Sequence, residues 1–157
     1  MVVENRPAGL AEVVTGVKSH LEHYLSQYVE SAGSDLGLPL VVPEIMIGSR
    51  TPQSVRSYPA LFLGVDRGQN AGDSNDATVR LRALVVHAER DGERRELAIA
   101  AYASSLVNLI DEHHRLIGQE VTTATSGEIE FFDGGSLGED KVAVAVVIET
   151  EVDKEAL

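Results

Sequence analysis

Two adjacent histidines behind two acidic residues, in the segment "NLIDEHHRLIG" (residues 108–118), have the types best suited to metal or acid–base chemistry. Imidazoles and carboxylates serve as general acids, general bases and zinc ligands. Neighbouring residues of a helix diverge by about 100°, and the helical zinc motif has its histidines four apart, so the spacing does not suit one metal ion. We expect His113 to continue the buried stripe of a helix and His114 to lie at its negative end. A small enzyme or metal-binding domain that uses His113, His114 and Asp111 is the alternative.

Three other segments have residue types with possible chemistry, and their context argues against each. His20 and His23 are spaced i, i+3 on a predicted helix, which permits chelation, but no third ligand is near in sequence. "GGSLG" (134–138) matches the nucleophile pattern G-x-S-x-G, yet a strand follows it and no histidine comes later. The acidic segment 66–76 lacks the spacing of an EF-hand loop. The sequence therefore predicts no catalytic residue, metal site or cofactor.

Composition favours a folded, soluble chain with an aliphatic core. Apolar residues make up 43% of the 157 residues, but there is no Trp and there are only three Phe, so the core must be built from aliphatic side chains. The net charge of −12 opposes wrapping of DNA or RNA. The absence of cysteine excludes disulfides and thiolate chemistry. We expect no signal peptide, because "MVVENRPAGLAEVV" lacks a basic start and a continuous apolar run. We expect no membrane span, because no apolar run approaches about 18 residues.

Two long helices are predicted from the spacing of apolar residues. The first lies within residues 8–34, with Pro7 at its start and Gly33 at its stop. Its apolar residues recur at steps of three and four and share one face: Leu10, Val13, Val14, Val17, Leu21, Tyr24, Leu25 and Tyr28. The second helix runs over about residues 93–117 and is closed by Gly118, a residue that helix C-caps favour.

Four or five strands are predicted, some before the second helix in the chain and two after it. They lie at residues 44–47, 59–65, 78–89, 128–132 and 141–152. Residues 51–58 are expected to form an exposed arm or loop, and the turn-rich segment 66–76 a surface loop. This order predicts one α+β domain over residues 1–157: a single mixed, mostly antiparallel sheet of four to five strands, with two main helices packed on one face.

The outer face of that sheet is expected to be only partly apolar. Arg80 and Arg82 share a face of one strand, and Glu149 and Glu151 share a face of the C-terminal strand. These opposite charges are predicted to meet across a strand pair or a subunit boundary, and an ordinary solvated face is the alternative. The C-terminal strand, about twelve residues long against a usual five or six, is an aggregation liability at a sheet edge unless it is paired or covered.

The layout of the elements resembles the tail terminator and neck (head–tail joining) proteins of tailed bacteriophages, over roughly residues 10–152. An amphipathic helix is followed by "SYPALFLGV", by the charged strand "ATVRLRALVVHAER" and by the helix "ERRELAIAAYASSLVNLIDEHHRLIG". An "FFD" strand and an alternating valine strand end the chain. The stretch "RELAIAAYASSLVNLI" is the most characteristic part, while the Pro-rich segment 38–56 departs from the pattern and leaves the subtype open.

The resemblance implies a structural virion protein and no enzyme. Such proteins form a ring, usually of six copies, that caps the completed tail tube and docks the head. The implied partners are further copies of the chain (a homohexamer), the tail tube protein and a head-completion or connector protein, in a virion tail assembled in the host cytoplasm. DNA would pass through the channel without specific binding, which suits an acidic protein. A non-viral oligomeric adaptor is a further alternative.

Contacts with the tube or connector are expected in the two loops, and contacts between subunits on the charged sheet face. The loop candidates are Arg50, Arg56, Tyr58, Asp66, Arg67 and Asp73. The subunit-interface candidates are Arg80, Arg82, Glu149 and Glu151.

Overall fold

The computed structural model describes residues 10–48, 50–56, 58–70, 76–113, 121–132, 137 and 140–153. The elements, in chain order, are α1 (Leu10–Leu36), β1 (Glu44–Ile47), a short 3-10 turn (Pro52–Ser54), β2 (Ala60–Asn70), β3 (Asp76–Ala88), α2 (Gly92–Glu112), β4 (Val121–Phe132) and β5 (Lys141–Asp153). Neither helix in the described ranges has the length and apolar character that crossing a membrane requires.

The five strands form one sheet in the order β1-β2-β3-β5-β4. β1 is parallel to β2, and all the other neighbours are antiparallel. The predicted fold class, a mixed and mostly antiparallel α+β sheet with two helices, is therefore confirmed. β5 lies inside the sheet, because β3 and β4 pair with its two sides. The long edge strand is β4.

The helices pack on one face of the sheet and enclose the main core. On β3 the residues that face the helices are Val79, Leu81, Ala83 and Val85. On β5 they alternate from Val142 to Ile148, as the period of two requires. The helices contribute stripes spaced three or four apart, which include Val13, Val17, Leu21, Leu25 and Val29 of α1 and Ile99, Tyr102, Leu106, Leu109 and Ile110 of α2.

α1 ends in a Schellman motif, in which the backbone turns through a left-handed residue. The Leu38 amide donates to the Gly33 carbonyl over 2.9 Å. The Gly37 amide donates to the Ser34 carbonyl over 3.2 Å, and Gly37 has a φ of +64°. The prediction that α1 stops at Gly33 is wrong, because Gly33 lies in the last turn, where its carbonyl accepts from Leu38, and Gly37 supplies the left-handed conformation.

α2 begins at an N-cap and ends earlier than predicted. The side chain of Asp91 accepts a hydrogen bond from the Arg94 amide over 2.9 Å. The helix ends at Glu112, and His113 is its C-cap. The predicted end at residue 117 is therefore wrong. Residues 114–120, which include His114 and the predicted stop Gly118, lie outside the described residues.

The segment 51–58 is a cover on the second face of the sheet, so its prediction as an exposed arm is wrong. Val55 is only 2% exposed. The Tyr58 hydroxyl donates to the Val55 carbonyl over 2.6 Å, which fixes the ring against the segment. A second, smaller core lies beneath: Val55, Ala60, Phe62, Leu84, Val86, Leu137, Ala143 and Ala145. Burial of these apolar residues holds the segment down.

Two strands are longer than the sequence indicates. β2 continues to Asn70 and β3 begins at Asp76, so the prediction of a loop is wrong for residues 66–70 and 76, and residues 71–75 lie outside the described residues. Backbone pairing with β3 continues through a register shift between Val65 and Arg67. β4 begins at Val121 instead of residue 128, because "VTTATSG" pairs with the long β5.

Candidate functional site

An ion pair between neighbouring strands lies on the sheet face that points away from the helices. Arg80 of β3 and Glu149 of β5 are direct cross-strand partners. Nε of Arg80 lies 3.4 Å from Oε1 of Glu149. The structure thus brings these two predicted residues together within one chain, across a strand pair.

The other two interface candidates, Arg82 and Glu151, lie on the same face, each opposite an uncharged residue. Arg82 stands opposite Val147, and its guanidinium lies 5.8 Å from the ring centre of Phe132 on β4, a cation–π contact. Glu151 stands opposite Thr78 and is exposed. The four charged residues therefore form a strip along β3 and β5, beside the part of the face that segment 51–58 covers.

The loop candidates fall into three groups. Arg50 and Arg56 are exposed, and the Arg50 guanidinium lies 5.8 Å from the ring centre of Phe62. Tyr58, the last residue of segment 51–58, is half-buried. Asp66 is exposed on β2; Arg67 continues that strand, and Asp73 lies outside the described residues.

A polar network joins the two helices around His113. Nε2 of His20 lies 2.8 Å from Nδ1 of His113. Nε2 of His113 lies 3.1 Å from the Tyr28 hydroxyl, which donates to the Glu112 carboxylate. Since the tyrosine donates to Glu112, it accepts from His113, and His113 then accepts from His20. The half-buried His113 therefore belongs to a polar chain, and the prediction that it continues the buried stripe is wrong.

Two groups of this network have shifted pKa values. Desolvation by partial burial, followed by repulsion from His113 and His23, lowers the pKa of His20. The hydrogen bond to Glu112, with smaller effects of desolvation and of the Glu112 charge, raises the pKa of Tyr28 to about 12. Both shifts favour the neutral forms of His20 and Tyr28.

Of the alternative catalytic or metal site, Asp111 and His113 do not converge, and His114 lies outside the described residues. Asp111 accepts hydrogen bonds from the backbone and hydroxyl of Ser126 on β4, at 3.0–3.1 Å. His113 contacts α1 instead, on another side of α2. Among the described residues, no group of three or more His, Asp and Glu side chains is arranged to hold a metal ion. Of the "GGSLG" segment only the buried Leu137 is described.

The free edge of β4 carries exposed apolar side chains, which the sequence interpretation missed. Ile129 is 45% exposed and Phe131 is 57% exposed. Phe131 lies in a groove with Glu96 and Ala100 of α2. The alternation Glu128-Ile129-Glu130-Phe131 is the sequence signal for one polar and one apolar face. No described strand pairs with the outer side of β4.

A second exposed apolar patch lies at the opposite edge of the sheet. Ile47 at the end of β1 is 51% exposed and Val65 of β2 is 42% exposed. They line a groove against Ala11, Val14 and Thr15 at the start of α1. The described molecule therefore exposes apolar side chains at both ends of its strand order, on the side of the helices.

No family model matches this sequence. No curated protein matches it either. Among solved structures, the fold is similar to that of a chain in the structure "Virion of native gene transfer agent (GTA) particle". The TM-score is 0.51 at 12% identity, and the match covers 93% of this chain and 98% of the other. At this identity the similarity is one of fold.

Proposed function

We propose that this protein is a structural subunit of a phage-like virion, which assembles into a ring that caps the tail tube and forms part of the head–tail junction. The observation that carries the proposal is the match with a chain of a gene transfer agent virion along nearly the full length of both chains. The order of helices and strands, which resembles that of tail terminator and neck proteins, supports the particular position in the tail.

Ring formation needs heterologous contacts, in which one surface of a subunit binds a different surface of the next. The charged strip of Arg80, Arg82, Glu149 and Glu151 is one candidate contact. Mixed charge suits such a surface, because opposite charges fix the register of two partners and repel wrong arrangements. The acidic residues of the strip are accessible: Glu151 is exposed, and Glu149 is half-exposed even while paired with Arg80.

Contacts with the tube protein or the connector belong, in this proposal, to side chains at the ends of the sheet. Arg50, Arg56 and Asp66 are exposed and are retained as candidates, together with Arg67 and Asp73. Tyr58 takes part indirectly, since its hydroxyl holds the covering segment that carries Arg56. The net charge of −12 suits the wall of a channel through which DNA passes, because acidic surfaces do not release counterions from phosphate.

The test is assembly on tail tubes. Purified protein is mixed with isolated tail tubes and examined by negative-stain microscopy, and the free protein is examined by native mass spectrometry. The expected result is a ring of six subunits at the tube end. A protein that remains monomeric at high concentration and does not associate with tubes contradicts the proposal.

The alternative metal or enzyme function has its own measurement. Elemental analysis that finds stoichiometric zinc or manganese, lost in His113→Ala, would favour it over the structural role. The divergent directions of Asp111 and His113 argue for the opposite result.

A further inference from the structure

We propose that neighbouring subunits of the ring join edge to edge: the outer side of β4 in one copy packs against the outer side of β1 and the start of α1 in the next. The inference rests on the proposed ring and adds the surface that closes it. It assigns two patches to one contact. The β4 patch is Ile129, Glu130 and Phe131, and the β1 patch is Ile47, Val65 and Arg50. Arg50, one of the tube-contact candidates, contacts the neighbouring subunit instead in this arrangement.

The apolar parts of the two patches lie on the same side of the sheet. Ile129 and Phe131 stand opposite Val146 and Val144, which belong to the core beneath the helices. Ile47 stands beside Leu63 of the same core. A sheet continued from one copy to the next therefore brings apolar residues against apolar residues, and the helices of both copies remain on one side.

The charged parts lie on the other side and are complementary. Glu130 stands opposite Ala145, which belongs to the smaller core on the second face, and it is exposed. Arg50 is exposed and lies over Phe62 of the same small core, next to β1. Edge-to-edge contact places this carboxylate and this guanidinium on the same face, where a bidentate ion pair is favoured.

Strand direction also permits the contact. β1 runs parallel to β2, and each later pair along β2-β3-β5-β4 is antiparallel. β4 therefore runs opposite to β1, so a continued sheet would join them as an antiparallel pair. Such pairing satisfies the free backbone groups along the four residues of β1 and covers part of the twelve-residue edge strand β4, which would otherwise promote aggregation.

The two edges are different surfaces, so a substitution can alter one of them and leave the other intact. The variant Phe131→Lys loses only the β4 patch, and Ile47→Lys loses only the β1 patch. Each variant alone is expected to weaken subunit association by at least about tenfold, as for charging a buried apolar anchor. When the two variant proteins are mixed, the intact β4 edge of the Ile47 variant is expected to bind the intact β1 edge of the Phe131 variant. The expected product is a 1:1 dimer that cannot extend to a ring.

The matched control is Leu36→Lys, which charges an apolar residue of similar exposure (45%) at the end of α1. It is expected to assemble as the wild type does. Circular dichroism verifies that each variant is folded, and native mass spectrometry measures the species present.

A thiol cross-link tests the same contact when association is weak. The sequence has no cysteine, so introduced cysteines are the only thiols. Mixed Ile129→Cys and Ile47→Cys proteins are expected to yield dimers with a short bifunctional maleimide, whereas Ile129→Cys mixed with Leu36→Cys yields none. A double Ile129→Cys/Ile47→Cys chain should give a ladder that stops at the ring size.

Each outcome decides one of the two proposals. Normal rings from both lysine variants overturn the edge contact and leave the virion role standing. Variants that fail to assemble, with neither a mixed dimer nor a cross-link, also overturn it. Wild-type protein that forms no ring and does not bind tail tubes overturns the proposed function itself, and the edge contact with it.

Discussion

Nε2 of His20 on α1 lies 2.8 Å from Nδ1 of His113 at the end of α2, so a hydrogen bond joins residues 93 apart in the sequence. Tyr28 and Glu112 extend this contact into a chain of three hydrogen bonds between the helices. The ring of Tyr24 packs against both histidines, with ring centres 4.6 and 4.7 Å apart. The network fixes the two helices relative to each other by polar contacts at one end of the core.

Acidification is expected to destabilise the protein through His20. Its pKa in the folded state is lowered from the usual 6.5, mainly by desolvation and then by His113 and His23. The unfolded chain therefore binds the proton more readily, and the free energy of unfolding falls as the pH drops below about 6.5. Urea unfolding on either side of that pH measures the loss. His20→Gln should reduce the slope of the free energy of unfolding against pH. The part of the slope due to His87 should remain, because burial also lowers the pKa of His87. An unchanged slope contradicts the assignment.

Two tyrosines are expected to ionise late, for different reasons. Burial raises the pKa of Tyr102 to about 12, and the hydrogen bond to Glu112 is the main cause that raises the pKa of Tyr28 to about 12. Ultraviolet titration of the folded protein should therefore show two tyrosine hydroxyls that ionise at a higher pH than an ordinary tyrosine. Glu112→Gln should return Tyr28 toward 10 and leave Tyr102 unchanged. A variant that shifts neither group would show that Glu112 does not control Tyr28.

The local pattern of the sequence predicts the elements whose faces are strongly apolar. The stripe of α1 and the alternation of β3 are correct because burial imposes the periods of 3.6 and 2 on those residues. The bounds of β1, Glu44–Ile47, agree with the prediction because prolines and a glycine flank an apolar run. These features are set by residues close in sequence.

Other features of the fold depend on residues far apart in sequence. The polar stretch 66–70 is a strand because β3 pairs with it, and its own residues favour a turn. The order of strands, which makes β4 an edge and places β5 inside, has no local signal. The contact of His113 with His20 likewise requires knowing that α1 and α2 are neighbours.

Gly33 and Gly92 are expected to respond in opposite directions to alanine. A Cβ at Gly33 would lie 2.6 Å from the Leu38 carbonyl oxygen, a backbone atom held by the Schellman motif. Gly33→Ala should therefore lower the free energy of unfolding by about 1–3 kcal/mol. A Cβ at Gly92 meets only the end of the Arg95 side chain, at 3.6 Å, so Gly92→Ala should raise it by about 0.5 kcal/mol through helix propensity. Thermal unfolding compares the two, and equal effects would contradict the role of the α1 terminus.

Charge reversal separates the structural part of the Arg80–Glu149 pair from its part in assembly. Arg80→Glu places like charges on directly opposite residues and should lower the free energy of unfolding by about 0.5–1 kcal/mol. The value is small because Glu149 is half-exposed. Adding Glu149→Arg should restore the free energy of unfolding, since the pair is re-formed with its charges exchanged. If the charged strip also binds a neighbouring subunit, the double variant remains impaired in ring assembly while its stability recovers.

Arg82→Glu, which removes the contact over Phe132, should impair assembly in a folded monomer as well. Urea unfolding and negative-stain microscopy of the same samples give the two readouts. Normal assembly by both Arg80→Glu and Arg82→Glu would remove the strip from the subunit interface and leave the sheet edges as its candidate.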